Sequence, residues 1–160
     1  MTPARHDALV SVLTERLSVV QLSEAQMAAL AADVDAETAD AIRYLLAHPA
    51  GPSSPWTAFY AVSRRVDGVR VGLICFKGAP DRHGRGEIGY GTHEPFRGQG
   101  YMTEAVAALC RYVLTHTDIA GIEAETLHTN AASQQVVARC GMRPFKSTPE
   151  SLWWRIDKEG

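Results

Sequence analysis

The stretch from Phe96 to Cys110 reads FRGQGYMTEAVAALC, a glycine-rich turn that runs directly into an amphipathic segment. The apolar residues after the turn recur at helical spacing: Val106, Leu109, Cys110, Val113 and Leu114. This pattern predicts a helix that begins at the two glycines. Its first turn leaves backbone N–H groups without intrahelical partners, and the helix dipole places positive charge there. The sequence therefore predicts a place where an anion binds.

The residues of the turn suit a phosphate or a pyrophosphate. Gly98 and Gly100 carry no side chain that would block close approach, Arg97 adds positive charge, and Thr103 adds a hydroxyl group in the first helical turn. The alternative is an ordinary glycine loop that begins a packing helix. A Walker-type loop is excluded because no G-K-S/T follows, and a dinucleotide fingerprint because the third glycine is absent.

The turn resembles the pyrophosphate-binding segment of the GNAT superfamily of acetyl-CoA-dependent N-acetyltransferases, whose pattern is Arg/Gln-x-x-Gly-x-Gly/Ala. RGQGYM, residues 97–102, fits except that Met102 stands where the family has glycine or alanine. A second segment also resembles the family. Its N-x-x-S segment is matched by Asn130-Ala131-Ala132-Ser133, and the glycine and large apolar residue that follow in the family are matched by Gly141-Met142. The similarity extends from about Leu17 to the C-terminus. It is greatest to the branch that modifies ribosomal-protein N-termini.

The composition fits one globular domain over residues 1–160, with residues 1–12 predicted to be loose. Of the 160 residues, 46% are hydrophobic and 21% are charged. A net charge of -2 argues against nucleic-acid binding. We expect a cytoplasmic protein, because no apolar run approaches a membrane span of about 20 residues and the N-terminus lacks a signal-peptide core. Three cysteines without paired spacing indicate neither disulfides nor a metal site, and we expect buried thiols.

Local signals predict a strand, two helices and a hairpin in the first half of the chain. The strand covers residues 17–22, and Ser23 with Gln26 forms a capping box for the next helix. Asp35 is the predicted cap of a second helix, which ends before Pro49. Asp67-Gly68 joins two runs rich in β-formers, residues 56–66 and 69–76, which predicts an antiparallel hairpin.

The second half of the chain alternates strands and helices. A strand over residues 87–92 precedes the glycine turn and its helix, and a strand over residues 122–128 follows. A strand–helix–strand crossover predicts that these two strands are parallel neighbours. A helix from Asn130 and two short strands, residues 142–146 and 151–156, complete the chain. The fold class is mixed α/β (α+β), GNAT-like, with a mostly antiparallel sheet and helices on both faces.

The resemblance implies that the central parallel pair splays and that acetyl-CoA enters between the two strands. It also implies that a backbone N–H near Tyr90 or Gly91 binds the acetyl carbonyl. The acetyl-CoA contacts implied by the family's motifs are Tyr90, Gly91, Thr92, Arg97, Gly98, Gln99, Gly100, Tyr101, Met102, Thr103, Asn130 and Ser133. The alternative role of Asn130 is only to cap its helix.

Acetyl transfer requires a base for the amine and a proton for the departing thiolate. Glu87 and Glu125 lie on the two strands that flank the acyl group and are the candidate bases; His93 and a water route are alternatives. Many family members place a tyrosine seven residues after the asparagine, but Val137 occupies that position, which makes Ser133 the candidate thiolate partner. Ser133 could instead bond only to its own helix backbone.

These residues lead to a prediction of direct transfer from acetyl-CoA to a primary amine in a ternary complex, without a metal. The acceptor is a protein N-terminus or a small molecule, with a pocket expected from the variable helices and from the loops of residues 48–55 and 78–86. A CoA-binding regulatory or sensor protein and a domain that binds nothing are the alternatives. The sequence is compatible with a homodimer but does not decide the oligomeric state.

Overall fold

Eight strands form a single sheet in the computed structural model, which describes residues 9–51 and 54–159. The strands are β1 Ser11–Leu13, β2 Leu17–Gln21, β3 Phe59–Arg64, β4 Arg70–Phe76, β5 Arg85–Thr92, β6 Gly121–Leu127, β7 Arg143–Ser147 and β8 Ser151–Asp157. The helices are α1 Glu24–Leu30, α2 Ala36–Ala47, α3 Tyr101–His116 and α4 Ala131–Arg139. Within the described residues no helix is both long and apolar enough to cross a membrane.

The order of the strands across the sheet is β1-β2-β3-β4-β5-β6-β8-β7. Strands β5 and β6 are parallel, and the other neighbouring strands are antiparallel. The parallel pairing covers only residues 85–87 of β5 and 121–123 of β6, although both strands continue beyond it. This confirms the predicted mixed α/β class with a central parallel pair, and it leaves an opening between β5 and β6.

The predicted local signals are present. Ser23 Oγ accepts a hydrogen bond from the Gln26 amide at 3.1 Å, and Gln26 Oε1 accepts one from the Ser23 amide at 2.8 Å. Asp35 caps α2 by accepting from the Thr38 amide. The Asp67-Gly68 hairpin forms with Gly68 at φ +72°, a backbone conformation that favours glycine.

Several strand boundaries differ from the sequence prediction. Strand β1 lies partly in the stretch predicted to be loose, and its pairing with β2 is reinforced by the Val10 amide, which donates to Gln21 Oε1 at 2.9 Å. Residues 1–8 of that stretch, and residues 52 and 53 of the predicted loop, lie outside the described residues. The predicted strand over residues 56–66 begins later, because Pro55–Thr57 form a 3₁₀ turn.

Helix α3 forms a large part of the core. It contacts β1, β2, β4, β5 and α4, and it buries Ala105, Val106, Leu109 and Val113 completely. Those four side chains follow the helical spacing seen in the sequence. Burial of this face holds α3 against the sheet and fixes the position of the glycine turn at its N-terminus.

Met102, the departure from the family pattern, is accommodated by a glycine on a neighbouring strand. Its side chain is 4% exposed. A Cβ atom placed on Gly72 would lie 2.7 Å from Met102 Cε and 2.6 Å from the Gly91 carbonyl oxygen, both closer than real Cβ atoms approach. Gly72 therefore provides the space that the methionine side chain fills against β4.

We expect Gly72→Ala to lower the free energy of unfolding by about 1–3 kcal/mol, the usual cost of overpacking a well-filled core. Urea denaturation followed by circular dichroism measures this change. Gly91→Ala is the matched control, because no heavy atom lies within 4 Å of a Cβ built at Gly91. Equal unfolding midpoints for the two variants would contradict the packing described for Gly72 and Met102.

Candidate active site

Two cavities meet where β5 and β6 separate. The larger, about 750 Å³, lies between the α1–α2 region and strands β4, β5 and β6; the smaller, about 580 Å³, lies between the glycine turn and α4. Both volumes are in the range of small-molecule sites. Six residues line both cavities and are called the junction here: Tyr90, Gly91, Thr92, Arg97, Asn130 and Ser133. All six were predicted from the sequence as acetyl-CoA contacts.

The glycine turn has the geometry of an anion cradle. Gly98 and Gly100 have φ angles of +77° and +78°, which side chains with a Cβ rarely adopt. A Cβ at Gly98 would meet no heavy atom within 4 Å, and one at Gly100 would meet only Arg16 Nη2, at 3.5 Å. Gly100 is the N-cap of α3, and no side chain caps this helix. The first-turn N–H groups are therefore available to an anion in the smaller cavity.

Other predicted contacts surround this cradle. Gly98, Gly100, Tyr101, Met102 and Thr103 line the smaller cavity, whereas Gln99 does not. Arg97 bridges the two cavities, and its Nε donates to the Thr92 carbonyl at 3.2 Å. Its guanidinium group is thus tied to the end of β5 while its charge remains beside the turn.

Arg16 supports the turn and was not predicted from the sequence. Its Nη1 donates to the Gln99 carbonyl at 3.0 Å, and its Nε donates to Glu104 Oε1 at 2.8 Å. The same guanidinium lies 4.5 Å from the centre of the Tyr101 ring. Because Arg16 precedes the turn by more than 80 residues, no local sequence pattern indicates this contact.

Helix α4 brings Asn130 and Ser133 to the junction. Asn130 Oδ1 accepts a hydrogen bond from the Ser133 amide at 3.0 Å, so this side chain does cap its helix. The Ser133 hydroxyl lies 2.8 Å from the Tyr90 hydroxyl, which also donates to the Ser133 carbonyl at 3.0 Å. Ser133 is thus engaged by its side chain with β5 rather than with its own helix backbone.

The hydroxyl group of Tyr90 was not predicted to take part in the site, because the sequence prediction concerned only a backbone N–H near Tyr90 or Gly91. Burial raises the pKa of Tyr90 to about 12, an effect that the hydrogen bond with Ser133 partly opposes. The phenol therefore keeps its proton throughout the neutral range. The period-2 alternation of β5 did place Tyr90 on the face opposite Gly89 and Gly91, but it could not identify Ser133 as the partner.

The two candidate bases lie in different surroundings. Glu125 lines the larger cavity and accepts a hydrogen bond from Ser151 Oγ at 2.6 Å. Glu87 lines neither cavity and forms an ion pair with Lys77 at 3.1 Å. It belongs to the paired part of β5, four residues before Gly91, or about 13 Å at 3.3 Å per residue. The geometry brings Glu125, but not Glu87, to the cavity.

His93 and Cys75 also line the larger cavity. His93 Nε2 accepts from Arg70 Nε at 3.0 Å, and burial and the charge of Arg70 lower the pKa of this histidine. Its acceptor nitrogen is thus already occupied. Of the three expected buried thiols only Cys110 is fully buried; Cys75 and Cys140 are partly buried, and Cys75 lines the cavity. Burial raises the pKa of Cys75 to about 11, so the group is a thiol near neutral pH.

The far wall of the larger cavity comes from the α1–α2 region rather than from the expected loops. Asp33, Val34, Asp35, Glu37, Thr38 and Ala41 line it. In the part of the chain that the structure describes, none of residues 48–55 or 78–86 does so, which corrects the loop prediction. The same part of the chain contains no group of three or more His, Cys, Asp or Glu residues arranged to hold a metal ion.

Curated relatives match parts of this chain. An uncharacterized N-acetyltransferase, YjdG, of Bacillus subtilis is 35% identical over 89 residues, which cover 55% of this chain and 53% of YjdG. The FsC-acetyl coenzyme A-N(2)-transacetylase of Aspergillus fumigatus is 36% identical over 61 residues, covering 38% of this chain and 26% of that enzyme. The matched segments thus span about half, or less, of these relatives.

Solved structures share the fold over nearly the whole chain. The RimL ribosomal L7/L12 alpha-N-protein acetyltransferase superposes with a TM-score of 0.73 at 18% identity, covering 93% of this chain and 94% of that one. A RimL complex with coenzyme A gives 0.71 at 16% identity, covering 94% and 98%. The ribosomal-protein-S5-alanine acetyltransferase of Vibrio fischeri gives 0.68 at 14% identity, covering 94% and 97%.

The family model described as acetyltransferase (GNAT) domain matches residues 6–143. That range contains the glycine turn, both strands of the splayed pair and all six residues of the junction. The chain therefore belongs to the GNAT acetyltransferase family.

Proposed function

We propose that this protein is an N-acetyltransferase that moves an acetyl group from acetyl-CoA to a primary amine by direct transfer in a ternary complex. The observation that carries the proposal is the junction, where an anion cradle and a second cavity open onto the same six residues. One cavity can hold the acyl donor while the other admits the amine. The acceptor class, a protein N-terminus or a small amine, is consistent with the names of the similar enzymes.

The cradle is suited to the pyrophosphate of the acyl donor. Acetyl-CoA would supply the thioester whose carbonyl is attacked, while the chain supplies binding and orientation. The uncapped first turn of α3 and the Arg97 guanidinium provide donors and positive charge for the phosphates. Asn130 uses Oδ1 for its helix cap, which leaves its amide nitrogen to face the junction.

A backbone donor for the acetyl carbonyl is available on β5. Its pairing with β4 extends to Thr92, whereas its pairing with β6 ends at Glu87. Because strand N–H groups alternate in direction, some of those between Ile88 and Thr92 point away from β4 into the opening. A fixed N–H donor there would stabilise the negative charge that develops on the carbonyl oxygen.

Glu125 is the base that the geometry favours for the amine. It lines the larger cavity beyond the point where the strands separate, where Glu87 does not reach. A water molecule between Glu125 and the amine would serve the same chemistry. His93 is less suitable because its Nε2 accepts a hydrogen bond from the positively charged Arg70.

A screen of peptides and small amines with radiolabelled acetyl-CoA tests the function as a whole. Acetylation of at least one amine class is the expected result. Binding of acetyl-CoA without transfer to any amine would favour a CoA-binding regulatory or sensor protein on the same fold. The absence of thermal stabilisation by CoA would overturn acyl-donor binding itself.

We expect Gly100→Val to weaken acetyl-CoA binding at least tenfold, or about 1.4 kcal/mol, because the side chain would occupy the cradle and strain the turn. Isothermal titration calorimetry measures the affinity. Gly68→Val is the matched control, since Gly68 has nearly the same φ of +72° and a Cβ there would meet no heavy atom within 4 Å, but it lies in the hairpin turn between β3 and β4. Equal losses of CoA affinity in both variants would mean that backbone strain, not the cradle, is responsible.

We expect Glu125→Gln to lower kcat/KM by about 10²-fold, as for loss of a general base. Steady-state kinetics test this, with Glu87→Gln as the matched variant, because Glu87 lines neither cavity. The Glu87 substitution should leave kcat/KM close to the wild-type value. The opposite pattern would return the base role to Glu87, and wild-type kcat/KM in both variants would indicate a water route without either carboxylate.

Direct transfer predicts that Cys75→Ala retains at least half of the wild-type kcat. Cys75 is the cysteine that lines the larger cavity, but its raised pKa leaves little thiolate to attack a thioester. Turnover assays and mass spectrometry of the protein after mixing with acetyl-CoA alone provide the measurement. A catalytically competent acetyl-enzyme that disappears in the Cys75 variant would replace direct transfer with a covalent route.

A further inference from the structure

A contact between two hydroxyl groups spans the opening between β5 and α4. The Tyr90 phenol lies 2.8 Å from Ser133 Oγ and 3.0 Å from the Ser133 carbonyl oxygen. Both residues line both cavities, so the contact sits where donor and acceptor would meet. From this geometry we propose that Tyr90 is a positioning residue that turns the Ser133 hydroxyl hydrogen toward the departing thiolate, an inference that rests on the proposed function.

The contact contains two hydroxyl hydrogens, one on Tyr90 and one on Ser133, and they can be arranged in two ways. If the phenol donates to the Ser133 carbonyl, the serine hydroxyl must donate to the phenol oxygen, and its hydrogen is turned away from the cavity. If the phenol donates to Ser133 Oγ, the serine hydrogen is free to point into the junction. Negative charge on a sulfur atom in the junction favours the second arrangement, in which the phenol also polarises the serine hydroxyl.

The transfer balances without a proton leaving either hydroxyl group. The amine nitrogen forms a bond to the acetyl carbon, the carbon–sulfur bond breaks, and its electron pair goes to the sulfur. The amine loses its proton to Glu125 or to water, and the thiolate takes a proton from solvent after release. Ser133 stabilises the thiolate as a hydrogen-bond donor, and the raised pKa of Tyr90 keeps the phenol protonated as the donor to Ser133.

This arrangement addresses the missing tyrosine of the family pattern. Val137 occupies that position and is completely buried in the core. A phenol is nevertheless present at the junction, but it comes from β5 and acts through Ser133 instead of contacting the sulfur itself. The alternative is that the contact between Tyr90 and Ser133 is purely structural and only holds the start of α4 against β5.

Single-turnover kinetics with Tyr90→Phe and Ser133→Ala, alone and combined, separate these roles. Tyr90→Phe should slow acetyl transfer about tenfold with little change in acetyl-CoA affinity. Because Tyr90 acts through Ser133, the double variant should be no slower than Ser133→Ala, a non-additivity typical of coupled residues. Tyr112→Phe, which removes a hydroxyl from a residue that lines neither cavity, is the control and should transfer at the wild-type rate.

A binding measurement adds a readout that does not depend on turnover. A hydrogen bond to the bound thiolate lowers the pKa of the CoA thiol, so wild-type affinity for CoA should rise relative to desulfo-CoA as the pH rises through the pKa of the bound thiol. In Tyr90→Phe and in Ser133→Ala most of this rise should be absent. At pH 9.5 the ratio of CoA affinity to desulfo-CoA affinity should be lower than in the wild type by threefold or more. Calorimetric titrations with CoA and desulfo-CoA at pH 7.0 and 9.5 give the comparison.

The outcomes distinguish this inference from the function on which it rests. A Tyr90→Phe protein with the wild-type transfer rate and the wild-type pH dependence of CoA binding overturns the role of Tyr90 alone. The role of Tyr90 is also overturned if Tyr90→Phe slows transfer by the same factor in the wild-type protein and in the Ser133→Ala variant. A wild-type protein that binds CoA but acetylates no amine overturns the proposed function, and the transfer role of Tyr90 with it.

Discussion

The pairing between β5 and β6 ends after three residues on each strand, and both cavities lie beside that end. The two strands are joined only over residues 85–87 and 121–123. Beyond that point each strand keeps its other neighbour, because β5 remains paired with β4 to Thr92 and β6 with β8 to Leu127. The sheet is thus two antiparallel parts held by a short parallel seam. Beyond the seam the two strands separate while each antiparallel part keeps its own pairing, so backbone groups on the free side of each strand face the opening.

The glycine turn depends on contacts that come from distant parts of the chain. Helix α3 is fixed by its buried face, while Arg16 ties the Gln99 carbonyl and the Glu104 carboxylate to the β1–β2 connection. These contacts use the side chains around the turn and leave the first-turn N–H groups of α3 uncapped. The positive end of the helix dipole therefore faces the smaller cavity without a capping side chain, and the first-turn carboxylate of Glu104 is paired with Arg16.

Local patterns in the sequence were sufficient for most of the fold and for the helix that begins at the glycine turn. The capping box at Ser23 and the helical spacing after Gly100 are contained within a few residues and form as predicted. The predicted hairpin also forms, but its connection is longer than Asp67-Gly68, because β3 ends at Arg64 and β4 begins at Arg70. The site chemistry was less accessible, because it depends on contacts between residues distant in sequence. No local pattern shows that Lys77 pairs with Glu87, that Glu125 but not Glu87 lines the larger cavity, or that Tyr90 meets Ser133.

The two departures from the family pattern illustrate why a motif has to be read together with its neighbours in space. Met102 would crowd the sheet if residue 72 carried a side chain, and Gly72 is the residue that removes the conflict. Val137 lacks a hydroxyl, while Tyr90 brings one to the start of the same helix from the adjacent strand. In both cases the helix residue has to be considered with a residue on β4 or β5. Substitutions at the turn or in α4 should therefore be interpreted together with the strand residue that each contacts, since such pairs are not additive.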